Sequence, residues 1–222
     1  MIEQEPAAGE MSNGLSLTGL SLANELKERT RDAHTRAERH PIQGRMVRGT
    51  VSRAEYAAYL GQLLHLWNAI DDGVAKAAAR DPRVAAMLQE YHPHAWRVRA
   101  DLRFYGRNGD MAALGATAKM VEMIRAAAQT PSVVGAWYVL EGSANGGRYI
   151  AKALAGAFKL EGRDGLLTMD PHGESQRERW QAWREALDAQ AFSEAERAGI
   201  LAAANAAFDG MGEMMEGLEK RQ

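Results

Sequence analysis

A fifteen-residue stretch, Tyr138–Lys152 (YVLEGSANGGRYIAK), most constrains what this chain can become. Val139, Leu140 and Ile150 supply apolar positions, no proline interrupts, and the spacing predicts a helix. Yet Gly142, Gly146 and Gly147 lie inside it, and each interior glycine costs a helix roughly 1 kcal/mol relative to alanine. At about 100° per residue, Val139, Gly142, Ser143, Gly146, Gly147 and Ile150 fall within one arc of about 140°. One face of the helix is therefore stripped of side chains, and something must lie close against it. Two explanations fit: the backbone of another helix, or a large flat ligand held by a second wall.

The 222 residues suffice for one domain with a core. Met1–Gly19 is polar and aperiodic, which predicts a flexible tail, leaving residues 20–222 as the folded domain. From Ser21 a helical pattern runs to His40 and ends before Pro41. Gly44–Thr50 reads as a connection. Ser52 opens a long helix carrying Tyr56, Tyr59, Leu60, Leu63, Leu64 and Trp67. Short helical segments follow on either side of His92-Pro93-His94, which reads as an exposed turn. Pro131 stands at the start of the glycine-bearing helix. Glu161–Gly173 is the longest internal loop. Helices are expected over Glu174–Ala189 and from Ser193 to about Leu218, with Glu196 completing a capping box. No alternating strand or internal repeat is evident, so the expected fold is a single all-α domain.

A formal net charge of -2 argues against non-specific nucleic-acid binding. Cysteine is absent, which excludes disulfides, thiolate metal sites and cysteine nucleophiles. No apolar run reaches the ~18 residues of a membrane span. The acidic N-terminus lacks a basic region followed by an apolar core, so a cytoplasmic protein without membrane insertion is expected.

Of six histidines, His34 has the most informative surroundings. Lys27, Arg31, His34 and Glu38 share one helix face. Glu38, one turn on, is placed to accept a hydrogen bond from Nδ1–H and leave Nε2 for a metal. Lys27, two turns back and about 10 Å along the axis, is placed to pair with a carboxylate of a large ligand. A surface helix with scattered charges explains the same residues. His65 sits among leucines and reads as a packed core histidine; Trp180 and Trp183, at i and i+3, read as core. No histidine follows Asp or Glu at i−3, so the Glu-x-x-His pairs of di-iron bundles are missing. P-loop, dinucleotide-binding and HExxH motifs are missing too.

LKERTRDAHTRAE (Leu26–Glu38) resembles the proximal helix of heme oxygenases, and YVLEGSANGGRYI resembles their distal helix, especially in bacterial, phytochrome-associated enzymes. AAANAAFDGMGEMMEGL resembles the family's last helix, so the similarity extends over about Leu20–Leu218. The resemblance implies a helical bundle with heme between a proximal helix and a glycine-kinked distal one. It implies cleavage of heme b, both cofactor and substrate, at a meso carbon, with O2 and external electrons, to biliverdin, CO and ferrous iron. His34 would be the axial ligand and Glu38 its supporting partner. Gly142, Ser143, Gly146 and Gly147 would form the distal face. Lys27 would meet a propionate; Arg31, Arg177 and Arg184 are further basic candidates, and Phe208 a ring contact. Ser143 stands where some members carry aspartate, and Asn145 where an apolar or small residue is expected. Asn145 faces solvent or donates a hydrogen bond near the ligand, and it motivates an alternative: a heme-binding or sensing protein without turnover. The implied partners are a ferredoxin or reductase as electron donor and a phytochrome receiving biliverdin.

Overall fold

The computed structural model describes residues 19–221. The expected N-terminal tail therefore lies, apart from Gly19, outside the described residues. Ten α-helices occur among the described residues: α1 (Leu22–Arg29), α2 (Arg31–Glu38), α3 (Pro41–Val47), α4 (Arg53–Ala78), α5 (Pro82–Met87), α6 (Ala95–Phe104), α7 (Gly115–Ala127), α8 (Val133–Phe158), α9 (Gln176–Asp188) and α10 (Glu194–Glu219). No strand occurs among the described residues, and none of their helices is long and apolar enough to cross a membrane.

The first helical run is divided where the sequence suggested continuity. Buried Thr30 turns its Oγ1 back onto the Leu26 carbonyl at 2.7 Å, a bond that bends helices. Thr30, at φ -105° and ψ 1°, is the non-helical residue that separates α1 from α2. Pro41, read as a terminator, instead begins α3, because its fixed φ and missing N–H suit the first helical turn. The expected connection at Gly44–Thr50 is thus mostly helical. Ser52 and Ser193 start α4 and α10 through reciprocal capping boxes with Glu55 and Glu196.

Helix α8 runs unbroken through all its glycines and packs most extensively on α10, and also on α4, α3, α9 and α7. Gly135 permits the α8–α10 contact: a Cβ there would sit 1.9 Å from the Ile200 carbonyl oxygen. Helices α1 and α2 lie on α10. Gln62, buried in α4, fixes the start of α7 by accepting from Leu114 N–H and Thr117 Oγ1 and donating to the Ala112 carbonyl. Long helices α4, α8 and α10 thereby form a frame, with α1–α2 and α9 closing its open side.

The start of α10 is also tied to α5. Arg83 bridges Asp81 and Glu196 at 2.8 and 2.6 Å, with its guanidinium over the Phe192 ring. The hydrogen bonds from Arg83, helped by the Ser193 N–H, hold the Glu196 carboxyl down from 4.5 to about 2. A depressed carboxylate stabilises the fold fully above its unfolded value and loses that contribution as pH falls through the folded one. Glu196→Gln should therefore melt below the parent protein at neutral pH, the gap narrowing as pH is lowered from 5 to 3. A gap that stays constant across thermal melts in that range would show that ionisation of Glu196 contributes nothing.

Candidate functional site

A cavity of about 820 Å³ opens between α2 and α8 and is also lined from α1, α3, α4, α9 and α10. That is within the range of small-molecule sites. From α1 and α2 come Lys27, Arg31, His34 and Glu38; from α10, Phe208, Met211 and Met215; from α4, Tyr59, Leu63 and Trp67. Helix α8 contributes the whole stretch Tyr138–Gly147 with Tyr149 and Ile150, and the loop before α9 adds Thr168, Met169 and Pro171. Val47 and Tyr149 line the cavity yet are 54% and 76% exposed, so apolar surface stands open at its mouth.

The His34 side chain is 53% exposed. Its ring meets Phe208 edge-on, centroids 5.4 Å apart at 89°. The expected Nδ1–H contact to Glu38 is not the one found. Nε2, rather than Nδ1, faces Glu38, 3.6 Å from Oε1 and too far for a hydrogen bond. Arg31 pairs with Glu28 at 3.6 Å. Arg184 lines the cavity and donates to Asn24 Oδ1 at 2.9 Å, whereas Arg177 is exposed on α9 and does not line it. The structure thus separates two candidates that the sequence left equivalent.

The glycine face divides between the two explanations. Gly147 serves close packing: a Cβ would lie 2.3 Å from the Met169 carbonyl oxygen. Gly146 opens to the cavity, with no described atom within 4 Å of a Cβ placed there. Gly142 faces the edge of Trp180, whose ring stacks on Trp183 at 5.4 Å and 6°. Ser143 donates its hydroxyl to the Leu140 carbonyl. Asn145 is part-buried and lines the cavity. Its Nδ2 donates to the Gly142 carbonyl at 3.0 Å, and its Oδ1 lies 3.4 Å from Gln176 Nε2.

Of the His92-Pro93-His94 turn only Pro93 is exposed: both histidines are buried, 3% accessible. His92 Nδ1 accepts from Gln89 N–H, and burial pushes the imidazole down to about 4. His94 N–H and Ala95 N–H both donate to Asp71 of α4, which caps α6 from outside its own sequence. Burial raises the Asp71 carboxyl above the usual range. His65, half-buried, bonds the Met111 carbonyl at 2.7 Å, in keeping with a packed role. Trp183 is core as expected, but Trp180 is a cavity wall that the i, i+3 spacing did not reveal.

The frame and the cavity define a helical protein with an apolar-lined cavity between the helix that carries His34 and the glycine-bearing helix. Heme oxygenase-1 of the cyanobacterium Synechocystis, crystallised with heme, superposes with a TM-score of 0.81 at 23% identity, covering 91% of this chain and 94% of its own. The heme oxygenase of Leptospira interrogans gives 0.80 at 22% identity over 88% and 98%. Heme oxygenase-2 of Synechocystis, crystallised with heme and NO, gives 0.83 at 21% identity over 91% and 86%. No curated protein sequence matches. The sequence model of the heme oxygenase family matches residues 20–217, and the chain belongs to that family.

Proposed function

We propose that this protein is a heme-degrading oxygenase that opens heme at a meso carbon and releases biliverdin, CO and ferrous iron. One observation carries the reading: a solvent-accessible imidazole, His34, and the open backbone at Gly146 line the same cavity. The surroundings suit heme. Aromatic and aliphatic side chains line the interior, the exposed Tyr149 and Val47 would be covered by a ring edge, and Lys27, Arg31 and Arg184 supply cations for two propionates.

Bound heme supplies the redox iron and the ring carbon that is oxidised. The chain supplies placement and protons. His34 is the only histidine on the α1–α2 wall of the cavity and so the residue that would hold the iron, its ring plane fixed by the edge contact with Phe208. Glu38, near Nε2 here, is placed to move aside and support the ring once Nε2 is taken. On the opposite wall Gly146, with open space over its backbone, would let the helix approach a bound ring closely. No acid or base side chain stands at Gly146, so at that point the wall would supply space and backbone alone. Ser143, whose own proton is engaged by Leu140, retains oxygen lone pairs with which to order water. Lys27 and Arg184 come from different helices, and their pairing with the propionates would set the ring's rotation and hence the carbon attacked. The α isomer is the expected product. No flavin or nicotinamide motif is present in the sequence, so a ferredoxin or reductase is the proposed electron source and a phytochrome a recipient of the product.

Titration of the purified protein with hemin tests the binding half of this reading. A saturable Soret complex at one hemin per chain is expected; absorbance identical to free hemin would sink it.

A further inference from the structure

Directly behind the glycine face lies a buried ionic network. Glu141, the residue before Gly142, is 3% exposed. Its Oε2 is 2.9 Å from His94 Nε2 and its Oε1 is 3.1 Å from His172 Nε2. On the far side of each ring stands an arginine: Arg97 Nη1 is 3.2 Å from His94 Nδ1, and Arg179 Nη1 is 2.9 Å from His172 Nδ1. A guanidinium only donates, so both Nδ1 atoms accept and both ring protons reside on Nε2, directed at the carboxylate. Burial alone would push the Glu141 carboxyl up, but the bonds from His172 and His94 hold it below the usual range.

His94, Glu141 and His172 place three potential ligand atoms within 4.8 Å, a spacing that suits a metal ion. The arginines decide against one. A metal needs a bare Nε2, and a ring proton displaced from Nε2 has nowhere to go while Nδ1 faces a permanent donor. Two guanidinium charges also oppose a cation.

An apolar cluster of similar volume would stabilise the fold at least as well as this ionic one. What the network adds is register between elements far apart in sequence. Glu141 belongs to α8, His94 and Arg97 to the start of α6, and His172 and Arg179 to the segment entering α9. That last segment also carries Met169, whose carbonyl abuts Gly147, and Trp180, which faces Gly142. Its other end is held by buried Asp101, which accepts from Leu167 and Thr168 N–H.

We propose that Glu141 is a positioning residue: acting through His94 and His172, it sets the glycine face of α8 against the Thr168–Trp180 wall and so fixes the clearance above the bound ring. The proposal rests on the heme oxygenase reading for the identity of that ring. Glu141→Gln is the test, because the amide keeps the shape but turns a donor toward one imidazole N–H. Imidazole NMR of the hemin-free parent protein should show His94 and His172 as neutral Nε2–H tautomers. Amide exchange across 139–147 and 166–172 should quicken roughly ten- to a hundredfold in the variant, as expected for loss of a buried charged hydrogen bond. With hemin and reductant, a single biliverdin isomer should give way to a mixture, a change that mere loss of stability would not produce.

If Glu141→Gln does not fold, His172→Ala and His172→Gln replace it. Alanine should loosen the segment, and glutamine, which restores a donor to Glu141, should recover both slow exchange and the isomer ratio. Nδ1–H tautomers, a stoichiometric transition metal in the purified protein, or unchanged exchange and isomer ratio would each overturn the proposal. Failure of the parent protein to consume hemin would sink the heme reading instead, while the tautomers and exchange would still report whether the network holds the helix.

Discussion

Gly147→Ala is expected to destabilise the protein, and Gly146→Leu, one residue away on the same helix, to leave it folded but unable to take its ligand. At 147 the added Cβ would lie 2.3 Å from a backbone oxygen, Met169 O, with the Met169 carbonyl carbon at 3.1 Å. No rotamer relieves a clash between two backbones. Overpacking of this kind costs about 1–3 kcal/mol, against a gain of about 1 kcal/mol in helix propensity, so the net effect is a loss. At 146 no described atom lies within 4 Å, so only the propensity gain acts on the fold, and Tm should hold or rise. The leucine side chain would instead occupy the cavity, and hemin affinity should fall at least about tenfold, the equivalent of 1.4 kcal/mol. Urea melts paired with hemin titrations read both effects. If Gly146→Leu unfolded the protein while binding survived in the folded fraction, the open reading of Gly146 would be wrong.

His34→Ala is expected to spare the fold and remove the chemistry. The imidazole is half in solvent, and its described contacts are the edge of Phe208 and the long approach to Glu38, together worth about 1 kcal/mol. Melting should therefore change little. The hemin spectrum should lose its histidine-ligated form, and turnover should fall by more than the ~10–100-fold that follows loss of a mere supporting group at a metal site. Added imidazole, small enough for the vacated space, should restore the parent spectrum in part. A variant with the parent spectrum and no response to imidazole would show that another group holds the iron.

Local signals carried much of this molecule. The capping serine and Glu196 at the start of α10, the apolar spacing of α4 and the missing side chains of α8 are all written within a few residues of where they act. The break at Thr30 was not legible, because threonine is tolerated inside helices and its burial is set by the rest of the fold. His92 and His94 looked exposed because proline and two polar rings mark a turn. Their burial depends on Asp71, 23 residues earlier than His94, and Glu141, 47 residues later. The same holds for the wall before α9: the loop was visible, but its attachment to Asp101 lies 66 and 67 residues away. Arg184 and Arg177 lie two turns apart on much the same face of α9, and they differ in which end of that face reaches the cavity. The glycine stripe called for either packing or a ligand; the structure has close packing at Gly147 and open space over Gly146.

The central claim is most directly tested by adding one equivalent of hemin to the purified protein and following the visible spectrum in air, with ascorbate or a ferredoxin system as reductant and catalase present. The account predicts decay of the Soret band with growth of biliverdin absorption. A Soret band that persists unchanged through reduction would contradict it, leaving a protein that binds heme without degrading it.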